Sequence, residues 1–176
     1  MIMTAEEFKT YVTTDVADPV IEAKLQAIEL LIRRHTNNNF QQRAIRTVGT
    51  IEDGKLYCDV SMFRAGDTIQ ITESNFNEGL YVVSKVEEEG DDVIALPGTL
   101  DETDVLVTKV AYPMDVKMGV VNMMKWDLEN RDKVGIQSET LSRHSVTYFN
   151  MDGDNSTLGF PKSLIGFLQP YMKARF

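Results

Sequence analysis

The chain has 176 residues, 43% of them hydrophobic and 26% charged, with a net charge of −9 and one cysteine. This length can bury a real core, in one domain carrying an insertion or in two small domains. The acidic balance weighs against tight nucleic-acid binding, because like charge repels phosphate, and Cys58 alone excludes an internal disulfide and a cysteine-built zinc site, which suits a reducing compartment.

No apolar run approaches the roughly 18 residues of a membrane span. The start, Met1-Ile2-Met3-Thr4-Ala5-Glu6-Glu7, lacks a basic-then-apolar leader, so a soluble protein made in a cytoplasm is expected. Acidity is concentrated in the middle: residues 43–113 hold six Lys and Arg against fourteen Asp and Glu, a net of −8, while the remainder nets −1.

Thr4 with Glu7 three positions on forms a capping box and predicts a short helix over about residues 5–12, carrying Phe8 and Tyr11 on one side. Asp18-Pro19 predicts a stronger start, with Asp18 as N-cap and Pro19 at the first helical position. Ile21, Leu25, Ile28 and Ile32 then recur at helical spacing to about Thr36. Asn37-Asn38-Asn39 ends that helix, and Phe40 is expected to fold back onto the core.

From Arg43 to about Pro113 the period changes to strands. Six short β-rich runs are expected, at 44–48, 55–57, 68–72, 80–86, 93–96 and 105–110, separated by turns such as Asp53-Gly54, Ala65-Gly66-Asp67, Asn77-Glu78-Gly79 and Pro97-Gly98. Their number and spacing predict a small antiparallel barrel or sandwich of SH3-like size.

After Pro113 a third helix is expected to about Asp132. Val116, Val120, Met124 and Leu128 form its stripe, and Met114, Met118, Val121 and Met123 widen it into a core face. Trp126 sits off the stripe, where it can face a partner. A long arm follows, over 134–160, with too little surface of its own to bury; Gln137, Leu141, Arg143, Val146 and Tyr148 are its candidate contacts to a neighbouring subunit. Pro161 opens a last short helix with Leu164, Ile165, Leu168 and Met172 as its stripe, bent or ended early by Pro170. Lys173, Arg175 and Phe176 then form either a frayed end or a cationic plug for a partner or neighbour.

The expected fold class is therefore α+β: a helical core of about four helices from 1–42 and 114–176, with 43–113 as an inserted acidic β module. Little of the chain carries catalytic chemistry. His35 reads as a helix-terminal cation and His144 as a polar contact; neither has a nucleophile setting, and no glycine pattern matches a phosphate loop. Asp152-Gly153-Asp154-Asn155 begins like a calcium loop but lacks its downstream glycine and glutamate, and reads as a solvated turn. Glu87, Glu88, Glu89, Asp91 and Asp92 cluster at an expected hairpin tip, either simply solvated or facing a channel or a partner's basic rim. No catalytic residue, cofactor or metal is expected.

Four stretches carry a resemblance: the Asp18-Pro19 helix ending Arg33-Arg34-His35-Thr36-Asn37-Asn38-Asn39-Phe40; Gly119-Val120-Val121-Asn122-Met123-Met124; residues 136–148, from Ile136 to Tyr148; and Gly159-Phe160-Pro161-Lys162-Ser163-Leu164-Ile165 with Leu168-Gln169-Pro170-Tyr171. In this order they resemble the head–tail connector (adaptor) family of tailed bacteriophages. The resemblance implies a non-enzymatic virion protein, assembled in the host cytoplasm, that forms a homo-oligomeric ring of about twelve subunits below the portal. It implies portal protein and a later head-completion or tail protein as partners, and double-stranded DNA passing through without specific binding. The inserted β module departs from the family's shortest members. A tail-side completion or terminator protein remains an alternative, as does a ligand-binding β module or small hydrolase.

Overall fold

The computed structural model describes residues 1–87, 93–133, 138–141, 144–147 and 155–174. It is a mixed α+β protein that divides into two compact units, Met1–Ile2 with Asn39–Tyr112 and Met3–Asn38 with Pro113–Phe176.

The second of these units is built on helices. Helix α1 (Ala5–Tyr11) is capped by Thr4, whose hydroxyl accepts the Glu7 N–H at 3.0 Å. Phe8 is buried, but Tyr11 is exposed at the last helical position, so the two do not share the core side. Helix α2 (Asp18–Thr36) starts one residue earlier than its sequence signal implied. Ala17 is the cap, without a side-chain bond, and Asp18 is the first helical residue, paired to Lys9 at 2.6 Å. There its negative charge still favours the helix N-terminus. Ile21, Leu25, Ile28 and Ile32 are buried, and Asn37 closes the helix in the left-handed region at φ 50°.

Helix α3 (Met114–Asn130) buries Val116, Val120, Val121, Met123 and Met124. Met114 and Met118 are exposed, which corrects the expectation that they widen the apolar face. Gly119 lies directly under Phe167: a methyl at this glycine would overlap three ring atoms of that phenylalanine. Helix α4 (Lys162–Ile165) tightens at once into a 3-10 segment, Gly166–Tyr171, containing Pro170. Three residues per turn instead of 3.6 rotate the stripe. Ile165 and Leu168 remain buried, whereas Met172 is exposed and falls out of the stripe expected for it.

Between α3 and α4, where one extended arm was expected, the described backbone doubles back. Strand β8 (Ser138–Leu141) pairs antiparallel with β9 (His144–Thr147), with Ser138 opposite Thr147 and Leu141 opposite His144. A second hairpin joins β10 (Ser156–Thr157) to β11 (Phe160–Pro161). Its turn residues Leu158 and Gly159 have φ of 58° and 77°, the positive pair that a tight two-residue hairpin turn demands.

The other unit is one antiparallel sheet of β1 (Gln41–Glu52), β2 (Lys55–Tyr57), β3 (Thr68–Thr72), β4 (Gly79–Val82), β5 (Val86–Glu87), β6 (Val93–Ala95) and β7 (Glu102–Val110), in the order β4-β3-β7-β1-β2-β6-β5. The apolar run at 80–86 is split into two strands because it changes partner, β4 pairing with β3 and β5 with β6. Asp53 and Gly54, at φ 51° and 69°, close the β1–β2 hairpin. Ile51, Leu56, Phe63, Ile69, Ile71, Val83, Ile94, Val105 and Val107 form its core. Phe40, at φ 50°, turns back into this unit and packs on Tyr112 with ring centroids 4.8 Å apart.

Strand β1 bends to serve both neighbours, its register against β7 slipping between Gly49 and Ile51. A Cβ on Gly49 would stand 2.7 Å from Leu56 Cδ1, 2.8 Å from the Tyr57 carbonyl oxygen and 3.0 Å from Cys58 Cβ. Backbone atoms there have no room to yield. Gly49→Ala is therefore expected to lower stability by about 2–3 kcal/mol, the upper range for overpacking, read as a lower urea midpoint at unchanged m-value.

Candidate functional site

Two places in the described residues combine exposed apolar surface with a fixed polar framework. The first is a groove of about 260 Å³ in the helical unit, lined by Lys24, Ala27, Ile28 and Leu31 of α2, Asp127 of α3, Arg131, and Leu158 and Phe160 of the β10–β11 hairpin. Asp127 organises it. Its side chain is only 8% exposed, accepts Lys24 Nζ at 2.5 Å on Oδ2, and accepts Arg131 Nε and Nη2 at 2.6 Å on Oδ1.

Burial alone would raise the Asp127 pKa, but the hydrogen bonds and charges of Lys24 and Arg131 outweigh it and hold the carboxyl below its ordinary range. Arg131 also donates through Nη1 to the Gly159 carbonyl at 3.1 Å. Its guanidinium lies 5.3 Å from the Trp126 ring centroid and 5.0 Å from that of Phe160, and those two rings are 5.6 Å apart. Trp126, expected to face a partner, is thus half-buried in this stack.

One more constraint marks the groove. Leu158 holds φ 58°, a left-handed conformation costing a branched residue about 1–2 kcal/mol. Such strain is kept only where surrounding contacts enforce it, and here the enforcing contact is the hairpin that Arg131 ties to α3. Two cations against one buried carboxylate leave the groove with an excess positive charge.

The second place is a corner of the sheet unit. Glu102, at the start of β7, accepts from Ser74 Oγ at 2.5 Å, the Asn75 N–H at 2.5 Å, Asn75 Nδ2 at 3.0 Å, Asn77 Nδ2 at 2.9 Å and the Phe76 N–H at 3.4 Å. The buried Asn77 side chain then bonds both the N–H and the carbonyl of Leu100, at 2.8 and 2.9 Å. The Ser74 hydroxyl and the loop N–H groups hold the Glu102 carboxyl down to about 2. This framework fixes two loops whose apolar side chains point outward: Phe76 is 67% exposed and Leu100 59%. Glu73, Glu78, Asp101 and Asp104 surround them in the chain, all exposed.

A depressed carboxyl pKa means that the lock is complete above the ordinary value of 4.5 and is lost as pH falls through about 2. Glu102→Ala is expected to cut amide-exchange protection at Asn75 and Phe76 about tenfold or more while leaving β3 and β7 unchanged. Wild-type protein should show the same local loss only near pH 2, and a loop equally protected in the variant would remove Glu102 from this role.

The residues singled out by sequence are placed unevenly. Leu141 and Val146 fall in β8 and β9, in register opposite His144 and Glu139, while Gln137, Arg143 and Tyr148 lie outside the described residues. Glu87 ends β5, and Glu88, Glu89, Asp91 and Asp92 lie outside the described residues, as do residues 152–154 of the calcium-like turn. Lys173 is exposed, and its N–H donates to the Thr36 carbonyl at 2.8 Å. Asn37 Nδ2 donates to the Ala174 carbonyl at 2.8 Å, so the chain is tied to the end of α2 as far as Ala174; Arg175 and Phe176 lie outside the described residues.

Sequence reasoning missed both frameworks. Asp127 had a usable signal, an acid three residues after Met124 on the apolar stripe with Arg131 one turn further on. Leu128 was assigned to that stripe instead, but Asp127 is the buried one. The Glu102 lock joins residues 25–28 positions apart across a loop and had none. Among the described residues no group of three or more His, Cys, Asp and Glu is arranged to hold a metal ion, and no helix is long and apolar enough to cross a membrane. Against known proteins, no family model matches this chain and no curated protein matches it.

Proposed function

We propose that this chain is a head–tail connector of tailed bacteriophages: a structural subunit that closes into a ring below the portal, extends the DNA channel and offers a docking surface to the next head-completion or tail protein. The β8–β9 hairpin is the observation that carries this reading. It is a two-stranded sheet with no third strand among the described residues, set between α3 and α4. An isolated hairpin of that kind is marginal in water and is stabilised by packing on something else.

A neighbouring copy supplies that surface in a ring, where one patch meets a different patch on the next subunit. Leu141 and Val146, with Gln137, Arg143 and Tyr148, are the proposed arm contacts, and the chain end around Lys173 a proposed portal or neighbour contact. In this reading Met3–Asn38 with Pro113–Phe176 form the helical bundle of the connector, and the sheet is an SH3-sized half-barrel module inserted into it. The net of −8 over 43–113 lets DNA pass without being gripped. The protein acts by assembly, at the head–tail interface of the virion, with no catalytic step.

Negative-stain images of the purified protein, alone and mixed with portal, test this. Closed rings that stack on portal are expected. A protein that stays monomeric with portal present overturns the reading, and rings that bind tail tubes and ignore portal move it to the tail side.

A further inference from the structure

The apolar corner of the sheet unit and the groove of the helical unit have complementary chemistry. Phe76 and Leu100 form a knob held by the Glu102 and Asn77 framework, and four exposed acids flank it in the chain. Ala27 and Leu31 line a groove of about 260 Å³ that also carries Lys24 and Arg131 against the single charge of Asp127. A protein cavity of about 150 Å³ accepts benzene, so this groove has room for a phenyl ring.

We propose that Phe76 of one copy inserts into the Lys24–Arg131 groove of a second copy, making the knob-and-groove contact one of the joints through which the chain self-assembles. The inference rests on the ring reading and names the surfaces that would form the ring.

Three physical features favour this joint. A knob whose loops are already fixed in the free protein loses little conformational entropy on docking, so more of the burial energy appears as affinity. An aromatic anchor entering a desolvated pocket, surrounded by polar groups that exclude water, is the usual form of an interface hot spot. Acids beside the knob meet excess positive charge at the groove, which orients the encounter and disfavours knob-to-knob pairing. Because knob and groove are different patches, the contact is heterologous and propagates to a ring or a filament, not to a closed twofold dimer.

The test uses Phe76→Ala, which removes the knob, and Ala27→Phe, which fills the groove. Phe76 and Ala27 are both exposed, so each variant is expected to keep the wild-type melting curve. Size-exclusion chromatography with light scattering should show each variant needing about tenfold or more protein to assemble, as truncating a hot-spot residue does. At a concentration where neither variant assembles alone, an equimolar mixture should give dimers, since one variant contributes only a groove and the other only a knob. Assembly of both single variants like wild type would overturn the joint while leaving the ring reading intact. A mixture that stays monomeric would overturn it too, because the two residues would then not meet. Wild-type protein that forms no oligomer alone or with portal would overturn the ring reading, and this joint with it.

Discussion

Removal of residues 137–148 is expected to leave a folded protein that no longer closes a ring. Those residues span the β8–β9 hairpin, whose strands pair with each other in a sheet separate from the other two. The helical core instead rests on Phe8, Ile21, Leu25, Ile32, Val116, Val120, Met124 and Leu168, all buried and all outside the deleted stretch. Melting should therefore change little, because a hairpin of this size adds almost nothing to stability by itself. Ring closure should be lost, since the joint is then held by the knob and groove alone. Light scattering and negative stain read the result. A deletion variant that assembles like wild type would put the hairpin inside the fold and remove the arm from the interface.

Asp127→Ala is expected to destabilise the helical unit by about 2 kcal/mol, the range for hydrogen bonds to charged groups. The carboxylate is nearly fully buried and joins α2 to the end of α3 through Lys24 and Arg131. Both cations are more than a third exposed and can return to water, which keeps the loss below that of breaking a fully buried pair. At this chain length the melting midpoint should fall by about 4–8 °C. Trp126, the chain's one tryptophan, packs in the same stack and reports the transition by fluorescence. Asp127→Asn keeps the shape but turns an amide donor toward Lys24 or Arg131, and should lose at least as much.

The pH dependence has a definite sign. Since the folded-state pKa of Asp127 lies below its ordinary 3.8, the stabilisation is fully present above that value and is lost as pH falls through the lower, folded one. The gap between wild type and Asp127→Ala should stay constant from neutral pH down to about 5 and narrow below about 4. A gap that widens in acid would mean that Asp127 does not hold Lys24 and Arg131 in their charged partnership.

Local signals translated into structure where the physics is local. Thr4 caps α1 through a bond three residues away, Asn37 ends α2 in the left-handed region, and Asp53-Gly54 closes β1 onto β2. Each depends on a few neighbouring torsions that residue type dictates. The misread positions are those where a distant partner decided. Asp18 moved into the helix beside Lys9, and Asp127, paired to Lys24, took the buried place on α3 where Leu128 was expected. Met172 left its stripe when the last helix tightened to three residues per turn.

Periodicity, caps and turn residues by themselves determined that this chain mixes helices with an antiparallel sheet, and where most of its elements begin and end. Only the tertiary structure decided that the stretch after α3 folds back as a hairpin, that Asp127 is the buried acid of α3, and that Glu102 holds the Phe76 loop from 26 positions away. Strand partners and buried charge pairs are chosen by the free energy of contacts between residues far apart in the chain. Local composition carries no record of those contacts.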